Sequence, residues 1–173
     1  MMWYILGGIA LLAGFMVFTG APYVPSMPKE VRRAFTKLYR LGADDVLVDI
    51  GSGDGLVLRI ARSYGARAVG YEINPILVGV AKWLSRRDKR VAVYLANFWR
   101  RALPDDVTVV YTFGDGRDIK KMYDKVVAEA TRLDRHIWFV SYGFKVSDVK
   151  PAREVGAHIL YRCEPLRDAS GRV

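Results

Sequence analysis

Glutamine is absent from the 173 residues, asparagine occurs twice (Asn74 and Asn97), histidine twice (His136 and His158) and cysteine once (Cys163). One cysteine excludes an internal disulfide and a thiolate-built metal centre, and two histidines are too few for a histidine-rich one. No metal site is expected. Cys163 reads as a small buried hydrophobe, and His136 and His158 as structural residues beside strands. The scarcity of amides, with charged, β-branched and aromatic residues in their place, is the composition of a chain selected against thermolabile side chains, as in thermophiles.

Charge is also missing from one stretch. No charged side chain precedes Lys29, and residues 1–19, MMWYILGGIALLAGFMVFT, are almost wholly apolar. As a helix this run would be about 28 Å long, close to the roughly 30 Å hydrocarbon core of a bilayer. Trp3 and Tyr4 lie at one end and Tyr23 beyond the other, as interfacial aromatics do. A cleaved signal peptide is the rival reading, but no basic residue precedes the apolar run. The basic residues follow it: Lys29, Arg32, Arg33, Lys37 and Arg40. The positive-inside rule then makes residues 1–21 a single-pass transmembrane anchor and puts residues 22–173 on the cytoplasmic side.

What remains is rich enough to fold. Hydrophobic residues make up 51% of the chain, which excludes a disordered polymer. Lys and Arg outnumber Asp and Glu by 27 to 18, a formal net charge of +9, so an anionic neighbour is expected. Residues 82–90, KWLSRRDKR, are the densest basic cluster. A solvated helix face, lipid headgroups and RNA all fit it. RNA is the weakest of the three, because no basic–aromatic stripe of the RNP type accompanies it.

From residue 25 onward the pattern alternates. Helical periodicity falls at 29–39, 55–64, 75–85 and 119–133; short Val/Ile-rich strand runs fall at 46–50, 68–71, 91–95, 107–112 and 137–142. Two further short strands close the chain at 154–155 and 157–161. Strands separated by helices of this length predict an α/β fold with a mostly parallel sheet covered on both faces.

The first strand runs into Asp49-Ile50-Gly51-Ser52-Gly53-Asp54-Gly55. Ligands of open α/β sheets sit beyond the carboxyl ends of the strands, at turns like this one. The helix starting near Gly55 would offer free backbone N–H groups to an anion. A dinucleotide fingerprint needs a small residue where Leu56 stands, and a phosphate-binding loop needs a Gly-Lys-Ser/Thr that is missing. Asp49 and Asp54 would oppose a diphosphate. The ligand should therefore combine a positive centre with a small carboxylate, and S-adenosylmethionine has both. The second strand ends at Glu72, placed to accept ribose hydroxyls. The third ends at Asn97-Phe98-Trp99, where Asn97 could meet the adenine edge and Phe98 stack on the ring.

Taken together, these motifs resemble those of class I, seven-β-strand S-adenosylmethionine-dependent methyltransferases, whose fold is a Rossmann-like three-layer αβα sandwich. The order PYVPS (22–26), DIGSGDG (49–55), GYEINP (70–75), NFW (97–99) and the segment 140–144 is similar to that of the mitochondrial lysine methyltransferases of the ATP synthase c-subunit and the adenine nucleotide translocase. It also resembles small archaeal protein-lysine methyltransferases. The resemblance implies that Tyr23, Val24 and Ser26 close over the cofactor, which Asp49, Gly51, Ser52, Gly53, Gly55, Glu72, Asn97 and Phe98 would hold. Relatives often have Asp where this chain has Asn97. The resemblance also implies a membrane-protein substrate with an exposed lysine, and the mitochondrial inner membrane for a eukaryotic source.

Methyl transfer to an amine needs alignment and water exclusion rather than a covalent intermediate. A lysine, with a pKa of about 10.4, must also lose its proton, which desolvation promotes. Tyr111 and Phe113 at the end of the fourth strand, and Tyr142 and Phe144 after the fifth, are the candidate walls of an acceptor channel. An Asp/Asn-Pro-Pro-Tyr/Phe motif, used on adenine or glutamine amino groups, is absent from this position. A methyltransferase for a lipid or quinone headgroup is the alternative expectation.

Overall fold

A computed structural model of the chain describes residues 27–114 and 116–167. The expected anchor, 1–21, and the segment carrying Tyr23, Val24 and Ser26 lie outside those residues. Among the described residues, no helix is long and apolar enough to cross a membrane.

Helix α1 (Pro28–Arg33) leads directly into a π-helical turn, Ala34–Leu38. The sequence predicts one continuous helix here; instead the last turn widens, with Tyr39 N–H bonded five residues back to the Ala34 carbonyl at 2.9 Å. The amphipathic face is nevertheless the expected one. Val31, Phe35 and Leu38 are all buried.

Strand β1 (Val46–Ile50) is buried along its whole length and lies in the interior of the sheet. Then follow α2 (Leu56–Ser63), β2 (Arg67–Glu72), α3 (Pro75–Ser85), β3 (Val91–Leu95), β4 (Val109–Thr112), α4 (Ile119–Arg132), β5 (Ile137–Tyr142), β6 (Arg153–Val155) and β7 (His158–Cys163). The seven strands are ordered β3-β2-β1-β4-β5-β7-β6. Strands β1 to β5 are parallel; β7 runs antiparallel between β5 and β6. The expected mostly parallel, seven-stranded sheet is present.

Alternation along the strands divides the core in two. Leu47, Val109 and Tyr111 pack with α1, the π-turn and α2. Val48, Val110 and Phe139 pack with α4. Cys163 lies in this second core and is fully buried. A 3-10 turn, Phe98–Arg100, lies between β3 and β4, and β5 passes to β6 through a loop. The carboxyl ends of β1, β2, β4 and β5 all emerge on one edge of the sheet, where parallel strands place a ligand crevice.

Candidate functional site

The crevice begins at the loop between β1 and α2. Gly51, Gly53 and Gly55 have φ of 72°, 54° and 79°, left-handed values that side-chain-bearing residues rarely adopt. A glycine on the neighbouring strand is equally necessary. A Cβ on Gly70 would lie 2.5 Å from Ser52 Oγ and 2.7 Å from Leu58 Cδ1, so only glycine lets the loop settle onto β2. The sequence contains Gly70 within a recognisable motif, but its role emerges only when β2 is seen beneath the loop.

Most backbone donors of this loop are engaged within the protein. The N–H groups of Gly51 and Ser52 donate to the Tyr71 carbonyl (2.8 and 3.2 Å), and that of Gly55 to Ser52 (2.8 Å). Gly53 N–H donates to Glu72 Oε2 at 2.9 Å, and Asn74 N–H to Glu72 Oε1 at 2.8 Å. Asp54 caps Leu56 N–H at 3.1 Å and pairs with Arg59 at 3.0 Å. Of the N–H groups expected to face an anion, those of Gly53, Gly55 and Leu56 are therefore used inside the loop. Glu72 is its strut, and Asn74 caps α3 through its side chain.

Carboxylates dominate what is left. Asp49 and Glu72 are both buried, and among the described residues neither has an ion-pair partner. The Asp49 carboxyl is pushed well above the ordinary range by burial, then by the charges of Glu72 and Asp54. Two acids held together in low dielectric favour a cationic guest, whose charge would offset the repulsion. The residues present fit a ligand bearing an ammonium and a sulfonium, and they do not fit a diphosphate.

The aromatic candidates divide. Phe113 and Tyr142 come together at the ends of β4 and β5, rings 4.8 Å apart and edge to face. Gly143 (φ 86°) turns the chain away beside Phe113. Phe144 is exposed against Gly116, and its carbonyl accepts from the Ser141 hydroxyl at 2.6 Å. Tyr111 is 1% exposed and belongs to the core, edge to face with Phe35 at 5.9 Å. Its hydroxyl lies 3.0 Å from His158 Nε2. The His158 ring sits 4.4 Å from that of Tyr142, so His158 links Tyr111 to the rim. Burial and the nearby Arg33 charge lower the His158 pKa to about 4. At the end of β3, Asn97 is exposed and its Oδ1 accepts from Trp99 N–H at 2.9 Å. Phe98 is buried beside α4, with Lys125 Nζ 5.3 Å from its ring centre, and Trp99 is the exposed ring of that turn.

A 3-2-1-4-5-7-6 sheet, a glycine loop after its first strand and a buried acid at the end of its second define a Rossmann-like methyltransferase fold. Residues 49–153 match the model of the ANTKMT methyltransferase domain family, and the chain belongs to that family. Among curated proteins, it is 36% identical over 83 residues to the ATP synthase c-subunit lysine N-methyltransferase of Xenopus laevis, covering 46% of this chain and 35% of that protein. It is 35% identical over 88 residues to the adenine nucleotide translocase lysine N-methyltransferase of Mus musculus, covering 49% and 38%. A protein-lysine N-methyltransferase of Saccharolobus islandicus is 31% identical over 91 residues, covering 51% and 48%. The matches thus span between a third and a half of the length of these relatives. Among solved structures, an RNA methyltransferase from Salinibacter ruber in complex with S-adenosyl-L-homocysteine superposes with a TM-score of 0.73 at 26% identity, covering 87% of this chain and 100% of that one. A 23S rRNA methyltransferase, at 18% identity and a TM-score of 0.58 over 69% of this chain and 48% of its own, shares the fold.

Proposed function

We propose that this chain is an S-adenosylmethionine-dependent protein-lysine N-methyltransferase. Residues 1–21 would hold it in a membrane, and its domain would act on membrane or membrane-associated proteins at the cytoplasmic face. The observation that carries the reading is the buried Asp49–Glu72 pair beside the glycine loop, at the same carboxyl edge of the sheet as the Phe113–Tyr142 rim. The three lysine methyltransferases among the relatives support the acceptor class.

When bound, S-adenosylmethionine would supply a methyl group made electrophilic by its sulfonium. Asp49 would face the positive charge, and Glu72 would use its remaining lone pairs for the ribose hydroxyls. Asn97 has its amide nitrogen left for the adenine edge. Phe113 and Tyr142 would flank the entering lysine, shield its nitrogen from water and favour the neutral amine. His158, packed on Tyr142, would fix the angle of that wall. Holding the acceptor in line is the main contribution asked of the protein.

RNA is the second reading, favoured by the Salinibacter neighbour. One assay separates them. Membranes of the source organism are incubated with the full-length chain and radiolabelled S-adenosylmethionine, then divided into protein, RNA and lipid. Label recovered as methyl-lysine after protein hydrolysis is the expected result. Label confined to RNA or lipid would overturn the proposal.

A further inference from the structure

Helix α3 (Pro75–Ser85) breaks the usual rule for a surface helix. Of its eleven residues only Lys82 and Ser85 are polar. Val78, Ala81 and Ser85 are buried where the helix packs along β2 and β3. On the opposite side Ile76, Val80, Trp83 and Leu84 are 47%, 40%, 62% and 41% exposed. Their spacing of i, i+4, i+7, i+8 makes one continuous stripe. Ile73 just before the helix and Leu95 at the end of β3 are also exposed, at 52% and 57%. By contrast, the exposed positions of α4 carry Lys121, Asp124, Ala128 and Arg132, with no large apolar side chain among them. A contiguous apolar surface of this kind marks an interaction site.

The stripe has a basic border. Lys82, Arg86, Arg87 and Lys89 are exposed, and among the described residues none of them forms an ion pair. The Arg86 guanidinium lies 4.7 Å from the centre of the Trp83 ring. Aliphatic side chains bordered by cations, with a tryptophan between, are the composition of a helix that lies in a membrane interface. Phosphodiester chains gain little from an isoleucine–valine–leucine stripe, and nucleic-acid surfaces that stack bases use several rings where this face has one. A second copy of this chain would bring another net charge of +9, whereas an anionic bilayer complements it.

Chain length points the same way. Seven residues, 20–26, separate the apolar run 1–19 from Met27. Fully extended they reach at most about 25 Å, so a membrane-embedded run would keep the domain against the bilayer.

We propose that the outer face of α3 docks on an anionic bilayer surface, with Ile76, Val80, Trp83 and Leu84 in the headgroup–acyl boundary and the 82–89 cations on the headgroups. The amino end of α3 is capped by Asn74, two residues from Glu72. Docking along this face sets the mouth of the crevice at the level of the membrane. The surface itself does not depend on the reaction; its use in reaching membrane-borne lysines rests on the proposed function.

The test uses the full chain with Val80→Cys, labelled with an environment-sensitive fluorophore and reconstituted in phosphatidylcholine vesicles with about 30% phosphatidylglycerol. Cys163 is buried, and burial raises its thiol pKa, so it stays unlabelled under native conditions. A matching label at Lys121→Cys reports the α4 face. The expected result is a blue shift at position 80 and quenching by acyl-chain nitroxides roughly tenfold stronger than at position 121. An aqueous spectrum at 80 overturns the proposal. So does a blue shift that tracks protein density in purely zwitterionic vesicles, which would mark a second copy, or one produced by single-stranded RNA in place of anionic lipid. Because the readout needs no methyl transfer, it stands or falls separately from the enzymatic reading. A Val80→Glu chain should retain S-adenosylhomocysteine binding within about twofold while losing acyl-chain contact at a label on Ile76→Cys.

Discussion

At the scale of single residues, the crevice is defined by acids that would be costly without a partner. Asp49 is the clearest. Its folded-state pKa is raised by burial and by Glu72, so its contribution to stability is lost as pH rises from the ordinary carboxylate range up through that raised value. Asp49→Asn should therefore raise the melting temperature of the ligand-free chain and weaken S-adenosylmethionine binding at least roughly tenfold, a conflict between stability and function common at such sites. Thermal unfolding beside calorimetric titration checks both halves. A variant that is stabilised but binds normally would remove Asp49 from the ligand's surroundings.

Glu72 behaves oppositely. It accepts from Gly53 and Asn74, so Glu72→Ala should destabilise the loop by about 2–4 kcal/mol and abolish measurable cofactor binding. Unchanged affinity would refute its placement against the ribose. His158 supplies the pH dependence. Its pKa falls from 6.5 to about 4 on folding, so the unfolded chain protonates first. Stability is intact above pH 6.5 and should decline by on the order of 3 kcal/mol as pH falls toward 4. His158→Gln should lose that slope in denaturant titrations across the same range; an identical slope in both proteins would assign it elsewhere.

At the scale of elements, the close fit of the glycine loop to β2 is the most restrictive contact. Gly70→Ala would set a methyl against Ser52 and Leu58, and overpacking of this kind costs about 1–3 kcal/mol. Part of that cost should emerge as weaker cofactor binding, because the loop must lift to make room; calorimetry of the variant beside the parent chain tests this. The helices show how far pattern carries. Those at α2, α3 and α4 follow from periodicity to within a few residues. The π-turn after α1 does not, because widening the last turn by one residue still buries the same apolar side chains and leaves no mark in hydrophobic spacing. Helix α3 is legible as a helix, yet its sequence alone fits a helix buried on all sides. Only its packing onto β2 and β3 by one side shows that the other is left in the open.

For the whole molecule, tether and docking surface should act together. Removing residues 1–21 should leave S-adenosylhomocysteine binding unchanged. It should also convert a protein that needs detergent for extraction into one released from membranes by high salt, since the remaining contact at α3 is partly electrostatic. A truncated chain that still requires detergent would contradict the anchor, and one that never sediments with anionic membranes would contradict the α3 face.

The order of elements, the sheet class, the glycine loop and its acids, and the family were all written in the sequence. Each is encoded by neighbours in the chain: a period, a turn, a short motif. The tertiary structure decided what depends on residues far apart. It turned Tyr111 inward against Phe35 and His158, buried Phe98 beside α4 and left Trp99 exposed. It brought Phe113 and Tyr142 together from strands about thirty residues apart. It made Gly70 indispensable and tied the N–H groups of Gly53, Gly55 and Leu56 into the loop itself. The physical reason is the two-residue period of a strand. The period is visible in the sequence, but which face meets a core and which meets water is set by the helices that cover the sheet.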